Sequence, residues 1–402
     1  MPGSVPDMPG IKADPGLADI LQREVAMLLN RQNTNFPGAQ PVSFARNHIQ
    51  ELCNQDYYLC EKTDGIRCLL FCTIDEHANE IHYLIDRKND YYYVPNLHFP
   101  HHNDPSFGRF HSDTLIDGEL VIDSYPDGRR VNRYLVFDCL VLDKECLTSR
   151  PLDKRIGRFS EFVDKPLKAL YRAFPEDCKV FPFEVRFKAM DKPYALEAMF
   201  HEKLPTLPHG NDGLVFTCKG TPYVNGTDQH ILKWKPAEEN TIDFKLRLGE
   251  FPMAVFDDDT QGPNYDAKPP FQLLIWHGGD RHAPYANLTV TNKEWEILKS
   301  LGEILDGRII ECYRNEQGQW RYKAESNGAP RFRDDKEHAN HESVARSVME
   351  SIEDGVSKED LIRAAPAIQR AWKIRHPEEE AQKRAQMAQR GPPPPNGHQN
   401  GH

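Results

Sequence analysis

No two cysteines in this chain have the C-x-x-C spacing of a metal knuckle or redox motif. The nine cysteines, an odd number, are scattered singly. Cys68, Cys72, Cys139, Cys218 and Cys312 fall inside strand-like runs, which reads as small buried thiols rather than zinc ligation or a disulfide framework. No apolar run reaches the length of a membrane span, and no basic-then-apolar leader opens the N-terminus, so a soluble intracellular protein with no membrane partner is expected. Positive charge is also short: 50 Lys+Arg against 61 Asp+Glu leave a formal net charge of −11. That excludes general coating of nucleic acid, and any cationic site must be focused locally. There is no internal repeat.

What is present is a chain of 402 residues, enough for two domains and a sizeable core. Residues 1–16 hold too little apolar surface to offset ordering and are expected to be disordered. Residues 17–30, "LADILQREVAMLLN", carry apolar residues at helical spacing. From Phe44 to about Pro236 short strands dominate, with "IHYLIDR", "TLIDGELVID", "RYLVFDCLVL", "DGLVFTC" and "HILKWKP" the clearest. Residues 152–172, interrupted by Pro166, and 194–203 read as helical. The mixture predicts an α+β domain on antiparallel sheet over 17–237. After Pro236 come strands, a helix at "NKEWEILKSLGEIL" and two more strands, the order of a small five-stranded barrel of the OB type. Helical stretches at 340–352 and 358–372 complete this second domain, 238–372. The charged and proline-rich tail, 373–402, is expected to be largely disordered.

Charge is concentrated at a few points. In "CEKTDGIRCLL", Lys62, Asp64 and Arg67 sit between two apolar strands. A lysine at a strand end becomes an amine nucleophile if desolvation or neighbouring cations lower its pKa; otherwise these charges decorate a turn. In "LKWKP", Lys233 and Lys235 share one face of a strand and Trp234 takes the other, as a cationic site or as a half-exposed basic edge. In "LIDGELVID", Asp117 and Glu119 alternate onto one face inside an apolar run, and Asp212 precedes Gly213 in "NDGLVF". Carboxylates so placed either make turns or hold a hard cation. In "APRFRDDKEHAN", Arg331, Arg333 and Lys336 beside Asp334 and Asp335 suit phosphate oxygens or are solvated surface.

In order, K-T-D-G-I-R, D-G-E-L, Y-L-V-F-D, N-D-G-L-V-F, K-W-K-P and R-F-R-D-D-K run from about Glu61 to Asn340. This series resembles the covalent nucleotidyltransferases, which include mRNA capping guanylyltransferases and ATP-dependent polynucleotide ligases. The forms "KTDGIR", "KWKP" and "RFRDDK" look like a capping guanylyltransferase of the separate-subunit fungal type. The resemblance implies an antiparallel-sheet nucleotidyltransferase domain, ATP-grasp-like, followed by an OB domain. It implies a lysine–GMP intermediate on Lys62, formed from GTP with loss of pyrophosphate, and transfer of GMP to a 5′-diphosphate RNA to give the 5′–5′ cap.

By the same resemblance, Asp64, Arg67 and Arg87 lie on the substrate, and Glu119 stands near ribose and metal. Phe137 stacks on guanine, Lys188 reads its carbonyl edge, and Asp212 is a metal ligand for Mg2+ or Mn2+. Lys233 and Lys235 meet the α-phosphate and depress the pKa of Lys62. Asp243 follows that pair. Arg333, Asp335 and Lys336 meet the β- and γ-phosphates when the cleft closes, with Arg331 one position outside the core of that motif. The H-C-x-x-x-x-x-R loop of a cysteine phosphatase is absent, so a separate RNA 5′-triphosphatase subunit is implied. A nuclear location and docking to the phosphorylated C-terminal domain of RNA polymerase II are carried over with it. The rivals are an ATP-dependent RNA or DNA ligase and an inactive capping scaffold. A scaffold has no physical reason to keep Lys62, Glu119, Lys233 and Lys235 together.

Overall fold

A computed structural model of the chain describes residues 6–255, 260–315, 317–379 and 381–382. The strand Ile11–Lys12 (β1) and the helix Pro15–Leu28 (α1) come first. Within residues 6–16, expected to be disordered, β1 borrows a sheet edge by pairing with Tyr92 and Tyr93. Asp14 then caps α1 by accepting from the amides of Gly16 and Leu17, with Pro15 at the first helical position, where a missing N–H costs nothing. Residues 1–5, also in that expectation, lie outside the described residues.

Next come Ala39–Ser43 (β2), the helix His48–Asn54 (α2), Tyr57–Thr63 (β3), Ile66–Ile74 (β4), Glu80–Ile85 (β5), Tyr91–Tyr93 (β6), Thr114–Ser124 (β7), Arg130–Leu142 (β8) and Glu145–Cys146 (β9). The helices Leu152–Phe159 (α3) and Lys165–Ala173 (α4) are joined by a π turn at Ser160–Asp164, and Pro166 stands in the first turn of α4, where it is tolerated. Glu184–Phe187 (β10), the short helix Leu196–Ala198 (α5), Asn211–Cys218 (β11) and Gly226–Trp234 (β12) follow. One eight-stranded sheet runs β1-β6-β5-β4-β7-β8-β10 with β9 beside β8, and a four-stranded sheet runs β2-β12-β11-β3. Pairing is antiparallel except for β10 on β8 and β2 on β12. The alternation of β4 explains the layering: Cys68, Leu70 and Cys72 enter a core with Phe159, Val163 and Leu167. Leu69 and Phe71 enter another with Leu21 and Val25 of α1. All nine cysteines are free, and the five named above are buried.

Past Pro236 lie Thr241–Leu248 (β13), Met253–Val255 (β14), Gln261–Pro263 (β15), Phe271–Trp276 (β16), His282–Asn287 (β17), the helix Asn292–Ser300 (α6), Ile309–Arg314 (β18) and Trp320–Tyr322 (β19). A five-stranded sheet runs β17-β16-β13-β18-β19, and β14 and β15 form a separate ribbon. A bridge between Leu288 and Trp320 brings its two edges together. The last two helices, Glu342–Glu353 (α7) and Lys358–Arg375 (α8), part company. Ala345, Val348 and Met349 of α7 join the core of this sheet. Leu361, Ala365 and Ile368 of α8 instead pack with Leu52, Leu59, Phe216 and Trp234 of the first domain. The expectation that 358–372 belongs to the second domain is corrected: an apolar stripe at spacings of four and three covers the nearest bare sheet face. Of the tail expected to be disordered, residues 373–375 are the end of α8, residues 377–379 and 381–382 are helical, and 380 and 383–402 lie outside the described residues.

Candidate active site

The expected hairpin between β3 and β4 does not form: at Asp64 and Gly65 the chain passes from the four-stranded sheet, where β3 pairs with β11, to the eight-stranded sheet, where β4 pairs with β5 and β7. A Cβ on Gly65 would stand 2.3 Å from the Leu120 carbonyl oxygen, so the close approach of β7 requires glycine. Lys62, one residue before the strand's end, projects with Cys60 into a pocket between the two sheets. β11 pairs with β3, and its register breaks between Asn211 and Leu214. That bulge aims Asp212 at Lys62. Asp212 Oδ1 accepts from Lys62 Nζ at 2.7 Å, and its Oδ2 lies 2.6 Å from Lys235 Nζ, just beyond β12. Burial works to raise the Asp212 carboxyl pKa, but the two ammoniums outweigh it and hold it below the usual carboxylate value. Lys233 has its pKa pushed down, first by burial and then by Lys235, Lys62 and Arg87. The lysine pair therefore adjoins Lys62, as the sequence predicts, but the direct partner of the Lys62 ammonium is the Asp212 carboxylate. Trp234 faces away, buried, with its indole N–H donated to the Val356 carbonyl at 2.7 Å.

The other wall comes from β4, β7 and β8, where Arg67 is opposite Glu119 in the ladder. Arg67 is gripped by Asp117 through Nε to Oδ1 at 3.1 Å and Nη2 to Oδ2 at 2.6 Å, and it also donates to the Ala39 carbonyl. Tyr223 donates to the same fully buried carboxylate at 2.6 Å. Asp117 is thus a positioning group for Arg67, while Glu119, two residues on, lines the pocket with no ion-pair or hydrogen-bond partner among the described residues. Phe137 also lines the pocket, with the Arg67 guanidinium 5.4 Å from its ring centroid. Arg87 stands at the rim.

Lys188 reaches the pocket from the end of β10 and is only 4% exposed, where an exposed strand lysine was the alternative reading. Its Nζ donates to Thr63 Oγ1 and lies 3.5 Å from Glu61. Burial opposes its charge, yet Glu61 more than compensates and raises its pKa. His209 holds the far side of this network, 3.6 Å from Glu61 and 2.8 Å from Asp123.

The remaining expected residues lie elsewhere. Asp64 is exposed at the turn and does not line the pocket. Asp243, on β13, is buried in the C-terminal domain and receives Arg333 at 3.1 Å. Arg333 also meets Asp335 at 3.1 Å, and Lys336 meets Asp335 at 2.9 Å. Arg331 pairs with Glu325 at 2.8 Å. None of these lines the Lys62 pocket. Sequence reasoning missed the supports: Tyr223 in an aperiodic loop, and the buried Asp138–Arg155 pair at 2.7 Å. The aspartate of "LVFD" in an otherwise apolar strand was the available signal for the latter.

A family model described as the mRNA capping enzyme catalytic domain matches residues 5–237, and one described as the mRNA capping enzyme C-terminal domain matches residues 239–362. The Neurospora crassa protein named mRNA-capping enzyme subunit alpha is 47% identical over 93% of this chain and 96% of its own length. The Schizosaccharomyces pombe protein of the same name is 46% identical over 91% of this chain and 88% of its own. Among solved structures, the ATP-dependent DNA ligase of bacteriophage T7 in complex with ATP aligns with 76% of this chain and 97% of its own at a TM-score of 0.34 and 16% identity, too loosely to bear on the site.

Proposed function

This chain belongs to the mRNA capping enzyme family and is an mRNA guanylyltransferase, and from that premise we propose that Lys62 is the residue that carries GMP. The observation that supports it most is the meeting of Lys62 and Lys235 on Asp212, with Lys233 near them, where Lys62 also lines a pocket with Phe137 and Lys188. Three ammoniums and the Arg87 guanidinium against Asp212 and Glu119 leave a local surplus of positive charge in an acidic chain, as a triphosphate needs. In the proposed reaction the Lys62 ammonium loses a proton to solvent, its nitrogen lone pair forms a bond to the α-phosphorus of GTP, and a second proton leaves the nitrogen as the phosphoramidate forms. The bond from that phosphorus to the bridging oxygen breaks, and the electron pair leaves with pyrophosphate. A β-phosphate oxygen of a 5′-diphosphate RNA then attacks the phosphorus, the N–P bond breaks with its electron pair returning to the Lys62 nitrogen, which is reprotonated from solvent, and the cap linkage forms. The chain's contribution is positioning and charge: Asp212 holds Nζ in place, Lys233 and Lys235 face the phosphates, Phe137 offers a face to guanine and buried Lys188 a donor to its edge.

A divalent cation such as Mg2+ or Mn2+ fits this site through Glu119, whose carboxylate has no partner among the described residues; phosphate oxygens and water complete a hard cation's shell. Asp212 does not offer a free oxygen while both lysines hold it. Such an ion would neutralise charge on the leaving pyrophosphate.

We read the C-terminal sheet as an OB barrel, with α6 between its third and fourth strands and the Leu288–Trp320 bridge closing it. Arg333, Asp335 and Lys336 would then reach the β- and γ-phosphates on closure over the pocket. In this reading the RNA 5′-triphosphatase is a separate subunit, and the chain works in the nucleus beside the phosphorylated C-terminal domain of RNA polymerase II. Incubation with labelled GTP or ATP and magnesium, followed by peptide mapping, tests the proposal. A GMP adduct on Lys62, lost in Lys62→Ala, is expected. An adduct with ATP alone would make the chain a ligase, and none at all would leave a scaffold.

A further inference from the structure

The connection between β6 and β7 carries histidines that the capping reaction does not use. The His101 amide donates to the Arg109 carbonyl and the His111 amide to the Phe99 carbonyl, both at 2.8 Å, with Pro100 bridging Phe110. This ladder sets His101 and His111 side by side, ring centroids 4.8 Å apart, and His102 stacks on His101 at 4.3 Å. Asp143, in the β8–β9 turn at φ 47°, faces them. Its two oxygens are each 2.9 Å from His111 Nδ1, and Oδ2 is 3.6 Å from His101 Nε2. One ligand atom from each of the four residues lies within 4.8 Å of the others, and none of the four lines the Lys62 pocket.

Two features of this cluster leave a place for a bound cation. His111 is fully buried, and its Nε2 lies 2.9 Å from the Phe162 carbonyl while its Nδ1 faces the carboxylate. A neutral imidazole has one N–H, so one of these acceptors meets a lone pair unless the ring is doubly protonated or a cation sits against it. His102 Nδ1 is buried with no hydrogen-bond partner. We propose that His101, His102, His111 and Asp143 bind one zinc-class divalent transition-metal ion that fastens the β6–β7 connection to the β8–β9 turn. Three imidazoles and one carboxylate suit zinc rather than magnesium, which takes oxygen ligands. Bonds of about 2.0–2.1 Å put neighbouring ligand atoms roughly 3.4 Å apart, so small side-chain rotations close the group around the ion.

The test uses the full chain without a polyhistidine tag, dialysed against zinc and then against metal-free buffer, with no nucleotide present. Elemental analysis is expected to find one zinc per chain. Cobalt(II) in its place should give the visible absorption of a four-coordinate site. His102→Asn, which leaves the His111 contacts in place, and Asp143→Asn should each weaken zinc binding at least a hundredfold. Both should retain the wild-type circular dichroism and the GMP adduct. No zinc on the wild-type chain, or one zinc per chain that persists in both variants, overturns the proposal; the GMP adduct, measured on the same samples, reports separately on Lys62.

Discussion

From Arg133 to Leu142 every residue is buried except Phe137, which joins none of the apolar cores. An aromatic left open in such a strand has a face to offer a ligand. Phe137→Ala is therefore expected to weaken GTP binding by about 1–3 kcal/mol, the range of base stacking on an aromatic, as measured by calorimetric titration. Urea unfolding should show less than the roughly 3–5 kcal/mol of a core phenylalanine; the reverse pattern would make it a core residue. Alternation in "YLVFD" could not separate these roles, because the strand is apolar on both faces. His209 carries a pH prediction. Burial opposes its charge, but Asp123 and Glu61 outweigh that and raise its pKa above 6.5 in the fold. Its stabilising contribution is thus fully present below about pH 6.5 and is lost as pH rises through the folded value. Urea titrations from pH 5 to 9 should find the gap between wild type and His209→Gln widest at the acid end and shrinking above pH 6.5. A constant gap would remove the ion pairs as its source.

At the level of elements, two Asp-Gly steps look alike in sequence but do different work. Asp64-Gly65 carries the chain from one sheet to the other and is not the hairpin turn that such a dipeptide predicts. Asp212-Gly213 lies inside β11, where φ is +147° and a Cβ would stand 2.0 Å from the Trp234 carbonyl oxygen. Gly213→Ala should cost about 2–4 kcal/mol in chemical unfolding and abolish GMP labelling of Lys62, because the bulge that aims Asp212 between Lys62 and Lys235 is lost. Unchanged stability would mean that the strand relaxes without the glycine. The apolar runs of β4, β7, β8 and β11 made those strands legible. The parallel pairings of β2 with β12 and β8 with β10 were not, because each joins residues far apart with no local signature. β1 escaped notice because the edge it uses belongs to β6. The motif order located Lys62, Glu119, Phe137 and Lys235, yet it gave no sign that Asp117 serves Arg67 rather than the substrate.

On the scale of the whole molecule, the chain crosses between its two bodies twice, after β12 and again between α7 and α8. At the second crossing the Val356 carbonyl takes the Trp234 indole and the Gly355 carbonyl takes Arg46 at 3.2 Å, so the return is anchored beside the lysine strand. Sequence spacing assigned α8 to the nearer domain because it cannot register which sheet face stands bare. The structure makes α8 part of the first domain, with Leu361 and Ile368 fully buried and Trp372 against Tyr194 at 6.0 Å. At about 1.5–3 kcal/mol for each large buried side chain, the stripe contributes an amount comparable with the whole net stability of a domain, about 5–15 kcal/mol. A chain ending at residue 353 keeps every motif residue from Lys62 to Lys336 yet exposes Leu52, Leu59, Phe216 and Trp234. It should lose its cooperative thermal transition for the first domain and form no GMP adduct, whereas a chain ending at residue 382 should melt and label like the full protein. A shorter chain that still labels Lys62 and melts cooperatively would make α8 a covering that the first domain folds without.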